Sequence, residues 1–372
     1  HNGNWLTSVK KHGDCGSCWA FAAVGAVEAM LNIQRENPSI DLDLSEQQLV
    51  SCCTHGCNGC HGGNSYLAWD YLMDHEGAIL ESTFPYYGID ANGCDSWKSE
   101  SCNRDPITCD MKEDGWEDIT IPLGEKGYYN DVDFSLAKYV LANHGPVVTF
   151  MLIYSDFNYY NGGIYTYDGN SDLLGGHAVM IVGYDDDQEY LICKNSWGSS
   201  WGEDGFFKIP HGECMLGTEL YFVDIDEDTL NFPPNAKLNG PYSGNANTSI
   251  QFSSEGTTDL DDNIESYHWN FGDGHISSNP NPTHSFDNPG IYPVTLTVTD
   301  AFGKQSVDET AVFVDNWNVN DQWTYNVSLE TIPDALYPPI RFPFDGKIHS
   351  LTLTVVDEDD EPELLEALSD LY

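Results

Sequence analysis

Apolar residues recur at helical spacing in two early stretches. The first follows Cys18 over 18–33 (Trp19, Ala20, Phe21, Ala22, Ala23, Val24, then Ala26, Val27, Ala29, Met30), and the second covers 66–75 with Tyr66, Leu67, Trp69, Tyr71, Leu72 and Met73. From Gly145 the pattern changes. Stretches 147–153, 177–184, 190–194 and 206–209 read as strands broken by Gly and Asp turns. A helical half followed by a β-rich half predicts an α+β fold. Over 224–234 the chain turns acidic, then proline-rich (Asp224, Asp226, Glu227, Asp228, Pro233, Pro234), which marks a linker at 228–235. Beyond it, Tyr292, Val294, Leu296 and Val298 alternate like a strand buried on one face. Stretches 323–329 and 348–356 alternate too, 357–363 is a charge run, and Leu364, Leu365, Leu368 and Leu371 share a helical face. The expected organisation is a first domain over 1–227, a linker, a second domain over 236–315, and a β-rich segment over 316–372. That last segment reads as a third domain cut short, and no function is assigned to it.

At 372 residues there is room for two or three cores. Sixty acidic residues against 14 basic give a net charge of −46, which repels nucleic acid and anionic membrane and excludes both as partners. The carboxylates read as a solvated surface, and so dense an acidic shell also suits saline water. There is no apolar run of about 18 residues, hence no expected transmembrane helix. Residue 1 is His, with no signal peptide or pro-segment, so a mature or trimmed form is expected, and secretion stays open.

The chemistry concentrates at Gly13-Asp14-Cys15-Gly16-Ser17-Cys18-Trp19-Ala20-Phe21. A thiol at a helix N-terminus feels the partial positive charge of unsatisfied N–H groups, which favours the nucleophilic thiolate. Downstream lie Gly175-Gly176-His177-Ala178-Val179, with His177 at 177 − 18 = 159 residues from Cys18, and Lys194-Asn195-Ser196-Trp197-Gly198. In the same order come Leu44-Ser45-Glu46-Gln47-Gln48-Leu49-Val50, Cys60-His61-Gly62-Gly63, Phe84-Pro85-Tyr86, Gly145-Pro146-Val147, Gly162-Gly163-Ile164-Tyr165 and Trp201-Gly202-Glu203-Asp204-Gly205. Over residues 4–227 the chain therefore resembles papain-like, cathepsin-type cysteine peptidases.

That resemblance implies a two-lobed fold, a helical lobe and a β-barrel lobe with the cleft between them. Cys18 is then the nucleophile, His177 its imidazolium partner and the acid for the leaving amine, and Asn195 the group that orients the imidazole under the cover of Trp197. The oxyanion hole uses the N–H of Cys18 and, six residues earlier, a side-chain amide; here that place is His12, a departure from the family, whose N–H can still donate. Gly16, Gly62 and Gly63 are implied to flank the substrate backbone. Asn64, Ser65, Ala178 and Glu219 line the pocket for the second residue before the cut, where Glu219 would accept Arg. A cleft-blocking loop with paired histidines, as in cathepsin B, has no counterpart in 94–109, which implies an endopeptidase. No cofactor and no metal are implied, and the partners are protein or peptide substrates.

Eleven cysteines with Cys18 reserved leave an even number, which fits disulfides in an oxidising, secreted or extracellular setting. The family pattern implies Cys15–Cys60 and Cys52–Cys94, and leaves Cys53, Cys57, Cys102, Cys109, Cys193 and Cys214 unassigned. Cys52, Cys53, Cys57 and Cys60 beside His55 and His61 also carry a zinc-knuckle spacing. Cys15 and Cys18 have the spacing of a redox pair, but lack a βαβ context.

A second resemblance lies in Tyr267-x-Trp269-x-Phe271-Gly272-Asp273-Gly274 and Gly290-x-Tyr292-x-Val294-x-Leu296-x-Val298-x-Asp300. Residues 236–315 resemble a PKD domain, which implies an immunoglobulin-like β-sandwich acting as a spacer or as a surface attachment module. A non-catalytic adhesin on a peptidase scaffold is the alternative for the whole chain; a transglutaminase-type acyltransferase lacks this motif order.

Overall fold

The structure, a computed structural model, describes residues 5–315 apart from 41, 76 and 99–101. The predicted strands at 323–329 and 348–356 and the leucine face after them lie outside the described residues. Two compact units meet at Asn231/Phe232, inside the expected linker.

In the first unit, α1 (Cys18–Gln34) is alanine-rich and buried almost all round from Trp19 to Asn32, so it is a core helix rather than a surface one. Glu36 takes a left-handed φ of 48° just past its end, and Pro38 follows. Helix α2 (Glu46–Cys52) starts at Ser45, whose hydroxyl accepts from Gln48 N–H at 3.1 Å. Asn64 does the same for α3 (Ser65–Asp74). Helix α4 (Phe134–His144) is capped by Asp133; the pattern of the sequence did not predict it.

Two short strands, β1 (Ala78–Ile79) and β2 (Thr120–Ile121), pair with each other. The rest of the unit is a six-stranded antiparallel sheet built from β3 (Leu123–Tyr129), β4 (Val147–Tyr154), β5 (Leu173–Asp185), β6 (Tyr190–Lys194), β7 (Phe206–Pro210) and β8 (Leu220–Ile225). Their order is β3-β8-β4-β5-β6-β7. Val147, Met151, Val179, Ile181, Leu191 and Phe207 form its core with Ala137 and Val140 of α4. Helix α1 packs against β5 at Gly25, where the Met180 thioether takes the space a Cβ would fill, 2.7 Å from Sδ. This contact sets the helix beside the strand that carries His177. The fold is α+β, as expected.

Four disulfides join Cys15–Cys60, Cys52–Cys109, Cys53–Cys57 and Cys94–Cys102 among the described residues. The implied Cys52–Cys94 pair is corrected. Ser51 Oγ donates to Ile107 O at 2.6 Å, which draws Cys109 to the end of α2, with Cα atoms 5.1 Å apart. Cys94 instead closes a small loop on Cys102, Cα–Cα 4.2 Å. Every cysteine of the zinc-knuckle spacing is thereby oxidised, so that alternative falls. Nor does the even count mean full pairing: Cys193, buried in the core on β6, and Cys214 are free thiols alongside Cys18.

The second unit holds a five-stranded sheet, order β12-β11-β14-β15-β9, and a two-stranded one, β10-β13. These are β9 (Tyr242–Asn245), β10 (Ile250–Gln251), β11 (Ile264–Asn270), β12 (Ile276–Ser277), β13 (Thr283–His284), β14 (Gly290–Asp300) and β15 (Gln305–Asp315). Val294, Leu296 and Val298 face a core of Phe252, Trp269, Phe271 and Phe286, on the buried face that their alternation predicts.

Candidate active site

Cys18 is the first residue of α1. The residue before it, Ser17, does not cap the helix, because its hydroxyl hydrogen-bonds the Tyr86 hydroxyl at 2.6 Å. No Ser17 cap therefore competes for the first-turn N–H groups beside the thiol. Ala178 N–H points at Cys18 Sγ across 3.5 Å, so β5 delivers His177 next to the thiol.

His177 is 3% exposed and pairs with Met151 in the β4–β5 ladder. Its Nε2 hydrogen-bonds Asn195 Oδ1 at 2.8 Å. The same oxygen accepts from Ser196 N–H at 2.8 Å, which fixes the amide with its oxygen toward the ring. The Trp197 ring lies 5.1 Å from the His177 ring and covers that pair. Burial pushes the Cys18 thiol pKa up and the His177 imidazole down to about 4.

His12 joins this group from the N-terminal segment. Its N–H donates to Ser196 O at 3.1 Å, and its carbonyl accepts from Tyr86 OH at 2.8 Å. Trp197 Nε1–H donates to His12 Nε2 at 3.1 Å. An accepting Nε2 leaves the proton of a neutral ring on Nδ1, and Nδ1 is buried without a hydrogen-bond partner. Burial, then the nearby His177, pulls the His12 pKa down to about 4, so the neutral ring is the relevant form.

The other expected site residues scatter more widely in role. Gly16 donates its N–H to Cys60 O at 2.9 Å, and a Cβ there would reach 2.5 Å from that oxygen. Gly62, at φ 108°, has open space where a Cβ would stand, while Gly63 sits against the Trp19 ring. Asn64 spends its side-chain oxygen on Tyr66 and Leu67 N–H groups at the start of α3. Ser65 is buried and donates inward to Trp19 O at 2.7 Å. Ala178 is half-buried beside the thiol. Glu219 is exposed and accepts from Tyr221 OH at 2.7 Å; its carbonyl is held by Thr149, which pairs with Val179, one residue past Ala178.

Two parts of the site escaped the reading of the sequence. One is Tyr86, legible only as a motif member, whose hydroxyl ties Ser17 to His12. The other is a buried charge cluster behind the site. Lys10 Nζ binds Glu28 at 3.0 Å and Glu46 at 2.9 Å, and Lys194, next to Asn195, donates to Thr7 at 3.1 Å. Burial opposes the Lys10 charge, but Glu28 and Glu46 hold its pKa above the usual lysine range; burial pushes Glu46 up to about 8. Paired acids far apart in sequence give no local signal, since Lys10 and Glu46 are 36 residues apart.

The family model for papain family cysteine proteases matches residues 1–223, and that for the PKD domain matches residues 231–314. Cathepsin L of Sarcophaga peregrina is 34% identical over 228 residues, 59% of this chain and 61% of that protein. A KDEL-tailed cysteine endopeptidase of Arabidopsis thaliana is 35% identical over 225 residues, 58% of this chain and 56% of that protein. A solved digestive procathepsin L2 proteinase from Tenebrio molitor larval midgut gives a TM-score of 0.48 at 28% identity, over 60% of this chain and 66% of that chain. The chain thus spans less than two thirds of the length of these relatives.

Proposed function

The chain belongs to the papain family of cysteine proteases and carries a PKD domain, and on that premise we propose that it is a secreted cysteine endopeptidase acting on protein or peptide substrates. The observation that carries this reading is the buried His177–Asn195 hydrogen bond of 2.8 Å, set beside a thiol at the bare N-terminus of α1. Burial acts against a lone charge on either Cys18 or His177. Passing the proton from one to the other makes two opposite charges together; the helix N-terminus favours the thiolate and Asn195 Oδ1 the imidazolium.

The thiolate attacks the scissile carbonyl carbon, and the carbonyl oxygen becomes an oxyanion. Cys18 N–H donates to it, and so does His12 Nδ1–H once the ring turns that buried nitrogen toward the thiol. His177 then gives its proton to the leaving nitrogen, the C–N bond breaks, and a thioester remains on Cys18. Water, with His177 taking its proton, cleaves the thioester and restores the thiol. Four disulfides support an oxidising destination, and no described helix is long and apolar enough to cross a membrane. The PKD domain serves as a spacer or attachment module.

Labelling with an epoxysuccinyl inhibitor followed by peptide mapping tests this reading. Modification at Cys18 with loss of peptide hydrolysis is the expected result, and Cys18→Ala should hydrolyse nothing while remaining folded. Folded protein that neither hydrolyses peptides nor reacts at Cys18 would instead fit a binding protein on this scaffold.

A further inference from the structure

In the second unit, three side chains of metal-binding type converge in a place the proteolytic chemistry does not use. The turn between β11 and β12 carries Asp273 and His275, and β13 carries His284. Asp273 Oδ2 lies 2.7 Å from His284 Nε2 and 3.3 Å from His275 Nδ1. All three ligand atoms fall within 4.8 Å of one another.

The local structure aims them. Asp273 Oδ1 accepts from the His275 N–H at 3.0 Å, which turns Oδ2 toward the two rings. His284 stacks on Phe271 at 4.1 Å and meets the edge of Phe286 at 4.6 Å, so its Nε2 has little freedom. Asp273 and His284 are 14% and 12% exposed, whereas His275 is 68% exposed and closes the group from the solvent side. A structural Asp–His hydrogen bond accounts for two of these residues but not for the third.

We propose that Asp273, His275 and His284 bind a divalent transition-metal ion of the zinc class. An ion about 2.0–2.2 Å from each donor sets tetrahedral ligand atoms roughly 3.3–3.5 Å apart. The Asp273–His275 separation already fits, and the Asp273–His284 pair opens by several tenths of an ångström as the ion replaces the hydrogen between them. Two imidazoles and one carboxylate select Zn²⁺, Co²⁺, Ni²⁺ or Cu²⁺ over Ca²⁺ and Mg²⁺, which prefer oxygen-only shells. Three protein ligands leave one position for water or for a side chain of another molecule. The ion would tie the β11–β12 turn of the five-stranded sheet to β13 of the two-stranded one. The other such group among the described residues, His61 with Cys94 and Cys102, offers no comparable site because its two sulfurs are bonded to each other.

The test uses the full chain with Cys18 carbamidomethylated, so that the reactive thiol takes no metal. Co²⁺ should bind as one saturable equivalent with visible ligand-field bands, and Zn²⁺ should displace it. His275→Ala, at an exposed position, should weaken Zn²⁺ binding at least tenfold with thermal unfolding unchanged in the absence of metal. His268→Ala, another exposed imidazole of the same unit, should leave binding as it is. Equal affinity in the parent and His275→Ala overturns the proposal, as does the absence of saturable binding at millimolar ion.

Discussion

His12 has one ring nitrogen committed to Trp197 and the other buried, and that division makes its role testable. If Nδ1–H serves the oxyanion, His12→Ala should lower turnover by about 10²–10³, the usual cost of one such donor, while inhibitor labelling of Cys18 persists. His12→Gln, which restores an amide donor, should retain or exceed the parent rate. An alanine variant as fast as the parent would remove His12 from the mechanism. The same ring predicts a stability effect. The folded pKa of His12 is lowered from 6.5 to about 4, chiefly by burial, so the unfolded chain takes up this proton first as pH falls. Its contribution is complete above pH 6.5 and is lost as pH drops toward 4. His12→Gln removes it, so its thermal midpoint should fall less than that of the parent between those pH values. An equal fall would show that His12 is not held neutral.

Among the elements, those with a strong local pattern were legible and those made by distant partners were not. Helix α1 runs one residue beyond its predicted end, because its apolar positions leave no other reading. Helix α4 escaped because only Ala137 and Val140 are fully buried on it, a stripe too thin to stand out. Strand β3, Leu-Gly-Glu-Lys-Gly-Tyr-Tyr, carries two glycines and two charges and is a strand only because β8 pairs with it. At the site, the motifs brought out Cys18, His177 and Asn195, while the tie from Tyr86 to both Ser17 and His12 joins residues 69 and 74 positions apart and leaves no local signal. Cysteine pairing was the least legible feature, since it depends on which loop meets which helix end. A digest after Lys and Arg without reduction checks it, because Lys98 separates Cys94 from Cys102 and Arg104 separates Cys102 from Cys109. Peptide 36–98, which carries both Cys52 and Cys94, should be linked to 99–104 through Cys102 and to 105–112 through Cys109. A 36–98 peptide linked to neither would contradict the structure.

For the whole molecule, charge is the dominant unbalanced quantity. Sixty acids face 14 bases, so even one-to-one pairing of every base leaves most carboxylates facing only one another. The bases are also unevenly spent: Lys10 alone serves Glu28, Asp43 and Glu46, while Lys208–Glu203 and Arg104–Asp95 are more exposed pairs worth little. Self-repulsion of this size destabilises the compact state and is long-ranged in dilute buffer. Raising salt from 0.01 M to 1 M shortens the screening length from about 30 Å to about 3 Å. Repulsion between exposed carboxylates then fades, whereas the Lys10 cluster, being buried, is screened far less. The thermal midpoint of the full chain should therefore rise by several degrees across that range, most steeply at the dilute end. Sodium chloride and tetramethylammonium chloride at equal ionic strength should act alike, because screening depends on ionic strength and not on site binding. A midpoint that stays flat or falls would mean that favourable pairs outweigh the repulsion, and the acidic shell would then have no part in setting stability.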